Sequence, residues 1–215
     1  MGRVVSAPAP RAPFVFATAM YESGDWESAP LLPANLIDSM ARYTGLPVAP
    51  KGAQVPLAGE ELLEHPFVWL TGHLPVRFTD AERRNLIRYV DRGGFIVVDD
   101  HNHDVGGVFH RTATEEIGRA FGRGALTRLP NTHELYSCFF TFRDGPPVTS
   151  HELNGWGDNL QHDYLHAVVR GGRVGLLYSN KDYSSEWNFH PDSKRLMAVD
   201  PTRFGVNLVV YAATR

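Results

Sequence analysis

The chain has 215 residues, a formal charge of −3, 43% hydrophobic and 21% charged residues, which suits one soluble α/β domain with a single sizeable core. No clustered run of Lys and Arg is present to make a nucleic-acid footprint, and no apolar stretch approaches the ~20 residues needed to span a bilayer. The single Cys138 excludes an internal disulfide and a CxxC metal site, so cysteine usage does not separate reducing from oxidising compartments.

Residues Met1 to Pro13 (MGRVVSAPAPRAP) are Ala/Pro-rich and lack the apolar centre of a signal peptide. They are expected to be a flexible lead, compatible with what remains after a signal is removed, with one domain over 14–215. Phe14 to Met20 (FVFATAM) reads as the first strand and opens into Tyr21 to Trp26, YESGDW. Pro30, followed by Leu31, Leu32, Leu36, Ile37, Met40 and Tyr43 at helical spacing, predicts an amphipathic helix closed by Gly45. Leu46 to Leu57 carries three prolines and a short strand near Val48 or Val55.

A third strand over Phe67 to Leu70 feeds Thr71-Gly72-His73. Thr79 with Glu82 three residues on is a capping box, and Leu86, Ile87 and Val90 form the buried stripe of the helix that follows. That helix stops at Gly93-Gly94. A buried strand, Phe95 to Val98, then runs into Asp99, Asp100, His101, Asn102, His103 and Asp104.

Thr112 or Thr114 is expected to cap the next helix, with Ile117, Ala120 and Phe121 inward and Gly122 as its stop. Ala125 to Pro130 reads as a fifth strand. This alternation implies a parallel sheet with helices on both faces. From His133 onward the pattern turns β-like, in Leu135 to Phe142, Val148 to Leu153 and Tyr164 to Val169. The last is joined through Gly171-Gly172 to Val174 to Tyr178 as a hairpin. A polar, aromatic loop, Ser179 to His190, precedes a terminal helix over Phe204 to Ala213.

Ligands in open α/β sheets bind beyond the carboxyl ends of the strands, which makes the cluster after Val98 the candidate site. Carboxylates and imidazoles together suit zinc, manganese or iron, and alternate residues of an extended segment point the same way. His101 and His103 are therefore expected to converge on one ion, with Asp99, Asp104 and nearby His110 as neighbours. The competing reading is a hydrogen-bonded loop in which Asp99 or Asp100 caps the next helix or satisfies loop amides.

His162 and His166 in HDYLH stand four apart, but Asp163 replaces the glutamate of an HExxH peptidase and the segment reads as strand. Nucleophile elbows, P-loops and GxGxxG are absent, and Cys138, in SCFFTF, reads as a small buried hydrophobe. Two loops combine carboxylates with aromatic rings: Tyr21, Glu22, Asp25 and Trp26, and Lys181, Asp182, Tyr183, Glu186 and Trp187. Such loops can stack on and hydrogen-bond sugars, or serve simply as loop packing.

The YESGDW loop, PFVWLTGH, RGGFIVVDD, VGLLYSNKDYSSEW and FGVNLVVYA, in this order, resemble the bacterial family catalogued as domain of unknown function 4159. That family is similar in turn to glutamine-amidotransferase-like and ThuA-like flavodoxin-like proteins. The resemblance implies a three-layer αβα sandwich with a mostly parallel sheet and a C-terminal hairpin-rich insertion. It also implies YESGDW, TGH and VVDD together at the carboxyl edge, and an exported or periplasmic setting. Thiol-based glutamine hydrolysis does not carry over, because Asp99 to His101 occupy the region of the elbow cysteine.

The resulting expectation is a ligand-binding module for a carbohydrate or other polar ligand, with a pocket of Tyr21, Asp25, Trp26, His73, Asp99, Asp100, His101 and His103 and a divalent metal as a candidate cofactor. One alternative is a metal-assisted hydrolase with Asp99, Asp100 and His101 as catalytic candidates. Another is a protein-interaction domain with a vestigial pocket.

Overall fold

Two fully buried six-residue runs, Phe67–Gly72 (β3) and Phe95–Asp100 (β4), form the centre of the sheet. Continuous rather than alternating hydrophobicity is what a parallel strand covered on both faces requires. The computed structural model describes residues 12–188 and 199–214. Most of the expected flexible lead, and the end of the expected 179–190 loop, lie outside the described residues.

The chain order is β1 (Ala17–Met20), α1 (Leu32–Tyr43), β2 (Ala53–Pro56), β3, α2 (Asp80–Asp91), β4, α3 (Val108–Phe121), β5 (Thr127–Arg128), α4 (Ser150–Asn154), β6 (His166–Arg170), β7 (Arg173–Ser179), α5 (Tyr183–Asn188) and α6 (Val199–Thr214). The seven strands lie in the order β2-β1-β3-β4-β7-β6-β5. β2, β1, β3, β4 and β7 are parallel, and β6 and β5 join the far edge by antiparallel pairing. The parallel part has the flavodoxin-like order, which reverses direction between β1 and β3 and opens a crevice at their carboxyl ends.

Alternation along each strand divides the core into two layers. Phe67, Trp69, Phe95, Val97 and Leu177 pack against α1, α5 and α6 through Leu36, Met40, Trp187, Phe204 and Leu208. Val68, Leu70, Ile96, Val98 and Leu176 pack on the opposite face against α2 and α3 through Leu86, Tyr89, Phe109 and Ile117. The fold is a three-layer αβα sandwich. Among the described residues no helix is long and apolar enough to cross a membrane.

Several elements depart from the expectations. Val55 lies in β2, whereas Val48 makes only an isolated bridge to Phe14. Helix α3 starts four residues before Thr112, after Gly107, and the Thr112 and Thr114 hydroxyls instead donate back to the carbonyls of Val108 and His110. The fifth strand shrinks to Thr127–Arg128 and sits at the far edge.

Leu135 to Phe142 forms no strand: it opens with a 3₁₀ turn, Glu134–Tyr136. Val148 to Leu153 holds the short helix α4, started by a second capping box of Thr149 and Glu152. The late aromatic loop is largely helix α5, with Tyr183 to Trp187 buried. The expected hairpin-rich insertion reduces to one hairpin, β6–β7, whose second strand belongs to the parallel core.

Candidate functional site

Four loops meet at the carboxyl edge, following β1, β3, β4 and β7. In the first, Asp25 reaches across the crevice. Its Oδ1 accepts the backbone amides of His73 (2.8 Å) and Leu74 (3.0 Å), and its Oδ2 lies 2.7 Å from His73 Nδ1. Burial opposes the charge, but these amides and the imidazole outweigh it and hold the Asp25 carboxyl below the usual carboxylate range. In the neutral ring the carboxylate fixes the His73 proton on Nδ1, which leaves the lone pair on Nε2, a nitrogen with no partner among the described residues. The His73 side chain is 42% exposed, so this nitrogen meets solvent.

The His73 ring stacks on that of His101, centroid to centroid 4.2 Å. His101 sits deeper, with Nδ1 3.0 Å from Ser28 Oγ, and Nε2 3.0 Å from Ser185 Oγ and 3.6 Å from Asp182 Oδ1. Burial keeps this imidazole below its ordinary value despite the Asp182 carboxylate. Hydroxyls donate or accept, so the neutral ring is satisfied between its two serines in either tautomer.

Asp182 occupies the sharp turn from β7 into α5. Its backbone is left-handed, φ 56°, a conformation that Asp tolerates better than most residues. Its side chain accepts the Ser185 amide at 3.0 Å and pairs with His151 from α4.

Asp99 and Asp100 do not act as a pair. Successive strand residues face opposite ways, so Asp99 continues the Phe95–Val97 face and Asp100 the Ile96–Val98 face. Asp99 Oδ2 accepts both the amide and the hydroxyl of Ser184 at 2.7 Å, and neither aspartate caps α3. Burial first, then the nearby Asp182, pushes Asp99 up to about 8. Burial likewise pushes Asp100 up to about 6, against the amides of Asn102 and Asp104.

His101 and His103 do not converge on a common point. β4 ends at Asp100, and the chain turns through His103 at φ 50°. The His103 ring therefore meets the carbonyls of Asn180 and Leu160, while His101 meets its serines. His103 instead groups with Asp158 and His162, which among the described residues form a set spaced to hold a metal ion.

Asp104 accepts the Gly106 amide in its own loop, and His110 bonds Tyr178 Oη at 2.9 Å from α3. Tyr21 is buried and donates to the Thr71 carbonyl at 3.1 Å. Cys138 packs against α6, its Sγ 3.3 Å from the Asn207 carbonyl.

A cavity of about 530 Å³ lies between α1 and the β1–β2 edge, lined by Trp26, Glu27, Thr18, Ile37, Lys51 and Gln54 among others. Its size suits a small ligand, typically about 300–1,000 Å³. Neither His73 nor His101 lines it; the link between cavity and dyad is the loop that carries Asp25 and Trp26 side by side.

The sequence profile of the family described as Domain of unknown function (DUF4159) matches residues 15–213. The chain belongs to the DUF4159 family. No curated protein matches it. In this DUF4159 domain, Ser28, His151, Asp158 and Ser185 join the site without any motif to announce them. Most of their partners lie far away in sequence, Ser185 being 84 residues from His101, although Asp158 also meets His162 only four residues on.

Proposed function

We propose that this DUF4159 domain is an amidotransferase-like, ThuA-like scaffold without a thiol nucleophile. In this reading it binds a small polar ligand, a carbohydrate or comparable polyol, at its carboxyl edge. The observation that carries the reading is the Asp25–His73 pair: a solvent-facing Nε2 acceptor, oriented by a three-fold hydrogen-bonded carboxylate, at the point where the strand order reverses. The flavodoxin-like strand order supports the scaffold assignment. The adjoining cavity supplies the apolar ring of Trp26 for a pyranose face, with Glu27, Lys51 and Gln54 for its hydroxyls.

Saturation-transfer NMR with a panel of neutral and acidic monosaccharides tests this. Transfer to at least one sugar is expected in the wild type and should be lost in Trp26→Ala and weakened in His73→Ala. A panel that gives no transfer, or transfer that both variants retain in full, refutes it.

The free Nε2 also favours a second reading, in which His73 is the general base of a hydrolase. Turnover of nitrophenyl glycosides or esters that His73→Ala abolishes while binding survives would establish it. A metal-assisted version draws less support, because the groups spaced for a metal include neither Asp25 nor His73.

A further inference from the structure

The segment from α4 to His162 folds over the β4 loop and is fastened there by one buried cluster. Asp158 donates its amide to the His103 carbonyl at 2.9 Å, and Gly157, at φ 65°, lies so close that a Cβ there would stand 1.9 Å from the same oxygen. Inside this junction, His103 Nε2 lies 3.0 Å from the Leu160 carbonyl oxygen and 3.5 Å from Asp158 Oδ1. His162 Nε2 lies 2.9 Å from Asp158 Oδ2. One ligand atom from each of the three side chains falls within 4.8 Å of the others. The side chains are 0%, 8% and 6% exposed for His103, Asp158 and His162.

The proton inventory makes this junction unusual. His103 Nδ1 lies 2.6 Å from the Asn180 carbonyl, which can only accept, so Nδ1 carries a hydrogen. In the neutral ring the lone pair is then on Nε2, aimed at a carbonyl oxygen and a carboxylate. Lone pairs converging from His103, Leu160 and Asp158 repel unless a cation lies among them. Either a second ring proton or a metal ion meets that need.

The surroundings favour the metal. A ligating histidine characteristically donates its other N–H to a carbonyl or carboxylate, as His103 does. Two imidazoles and a carboxylate are a zinc-type donor set, and bonds of about 2.0–2.2 Å to a tetrahedral ion place ligand atoms ~3.4 Å apart; His103 Nε2 and Asp158 Oδ1 stand at 3.5 Å, and the set of three closes to within 4.8 Å. A left-handed backbone at the non-glycine His103, φ 50°, is the conformation that turns the ring inward.

We propose that His103, Asp158 and His162 bind one divalent transition-metal ion of zinc type, with the Leu160 carbonyl beside it, and that the ion fastens the α4–His162 segment onto the β4 loop. His103 and His162 are buried and the half-buried Asp158 keeps only 8% of its side chain exposed, which gives the ion a structural rather than a catalytic place. The Asp25–His73 reading does not depend on it.

The test uses the full chain, stripped with chelator and titrated with cobalt(II). The expected result is one equivalent bound per chain, with the visible absorption of four-coordinate cobalt, displaced by zinc, and a zinc-dependent rise in melting temperature. Asp158→Asn and His162→Ala, if folded by circular dichroism, should lose the absorption and the rise. No cobalt absorption and no zinc uptake in the wild type would overturn the proposal, even if neither variant folds. Zinc retained by both folded variants would overturn it too, as would nitrogen NMR showing both His103 ring nitrogens protonated at neutral pH in saturating zinc.

Discussion

Replacing Asp99 with asparagine tests whether the carboxyl end of β4 carries a protonated acid at neutral pH. Asp99 is fully buried, and burial followed by the neighbouring Asp182 raises it from 3.8 to about 8, with the Ser184 and Ser179 hydroxyls offsetting part of the shift. Asparagine preserves the shape and an oxygen for Ser184 but cannot ionise. Because the folded chain holds this proton more tightly than the unfolded one, the stabilisation is whole below about pH 4. It declines as pH rises and is exhausted above about pH 8.

Each intervening unit costs ~1.4 kcal/mol, and the span of about 4 units from 3.8 to about 8 costs on the order of 6 kcal/mol. That is a large share of the roughly 5–15 kcal/mol that holds a domain together. Urea unfolding of wild type and Asp99→Asn at several pH values isolates this group, since other titrations cancel in the difference. Wild-type stability relative to the variant should fall by ~1.4 kcal/mol per unit between about pH 5 and pH 7.5, then level off above about pH 8.5. A difference that stays flat with pH would show that Asp99 titrates alike in both states and would refute the reasoning.

Lys181 and Glu152 form a fully buried ion pair at 2.6 and 2.7 Å, with the lysine also donating to the His162 carbonyl. Lys181→Met should cost about 3–5 kcal/mol in urea unfolding by stranding the carboxylate; adding Glu152→Gln should recover much of the loss, and an unchanged midpoint in the single variant would contradict the pairing. At α2, Thr79→Ala removes one half of the capping box and should lower stability by ~1 kcal/mol, measured the same way.

The fold was legible where local pattern and burial agree. Helical spacing in α1, the Thr79–Glu82 box and the apolar runs of β3 and β4 each specify what the structure shows. Legibility failed where a side chain replaces a strand partner. The run Leu135 to Phe142 is aromatic enough to suggest a strand, yet buried Asn207 on α6 takes over its backbone groups. Asn207 accepts the Phe140 amide at 2.7 Å and donates to the carbonyls of Leu135 (3.1 Å) and Phe140 (2.8 Å). With those polar groups satisfied, the segment buries Leu135 and Tyr136 against α6 without pairing to any strand. That amide comes from a residue 67 positions away from Phe140, so no local window contains it. The second box, Thr149 with Glu152, has the same signature as the first, but β-like hydrophobicity in Val148 to Leu153 masks it.

The site shows a sharper division between location and grouping. That chemistry gathers after β4 follows from strand direction alone, but DDHNHD reads as one cluster only while the chain is treated as a line. A strand sends Asp99 to the Ser184 layer and Asp100 to the opposite one, and the turn at His103 parts the two histidines. Each then acquires partners from remote segments: Ser28 and Ser185 for His101, Asp158 and Leu160 for His103. Neighbouring letters thus serve separate tasks, a buried carboxyl under α5, an imidazole stacked behind His73, and a fastening for the α4–His162 segment. Alanine at Asp99, His101 and His103 should therefore produce different phenotypes, in pH-dependent stability, sugar binding and metal uptake respectively. A single shared phenotype would mean that the cluster acts as one centre after all.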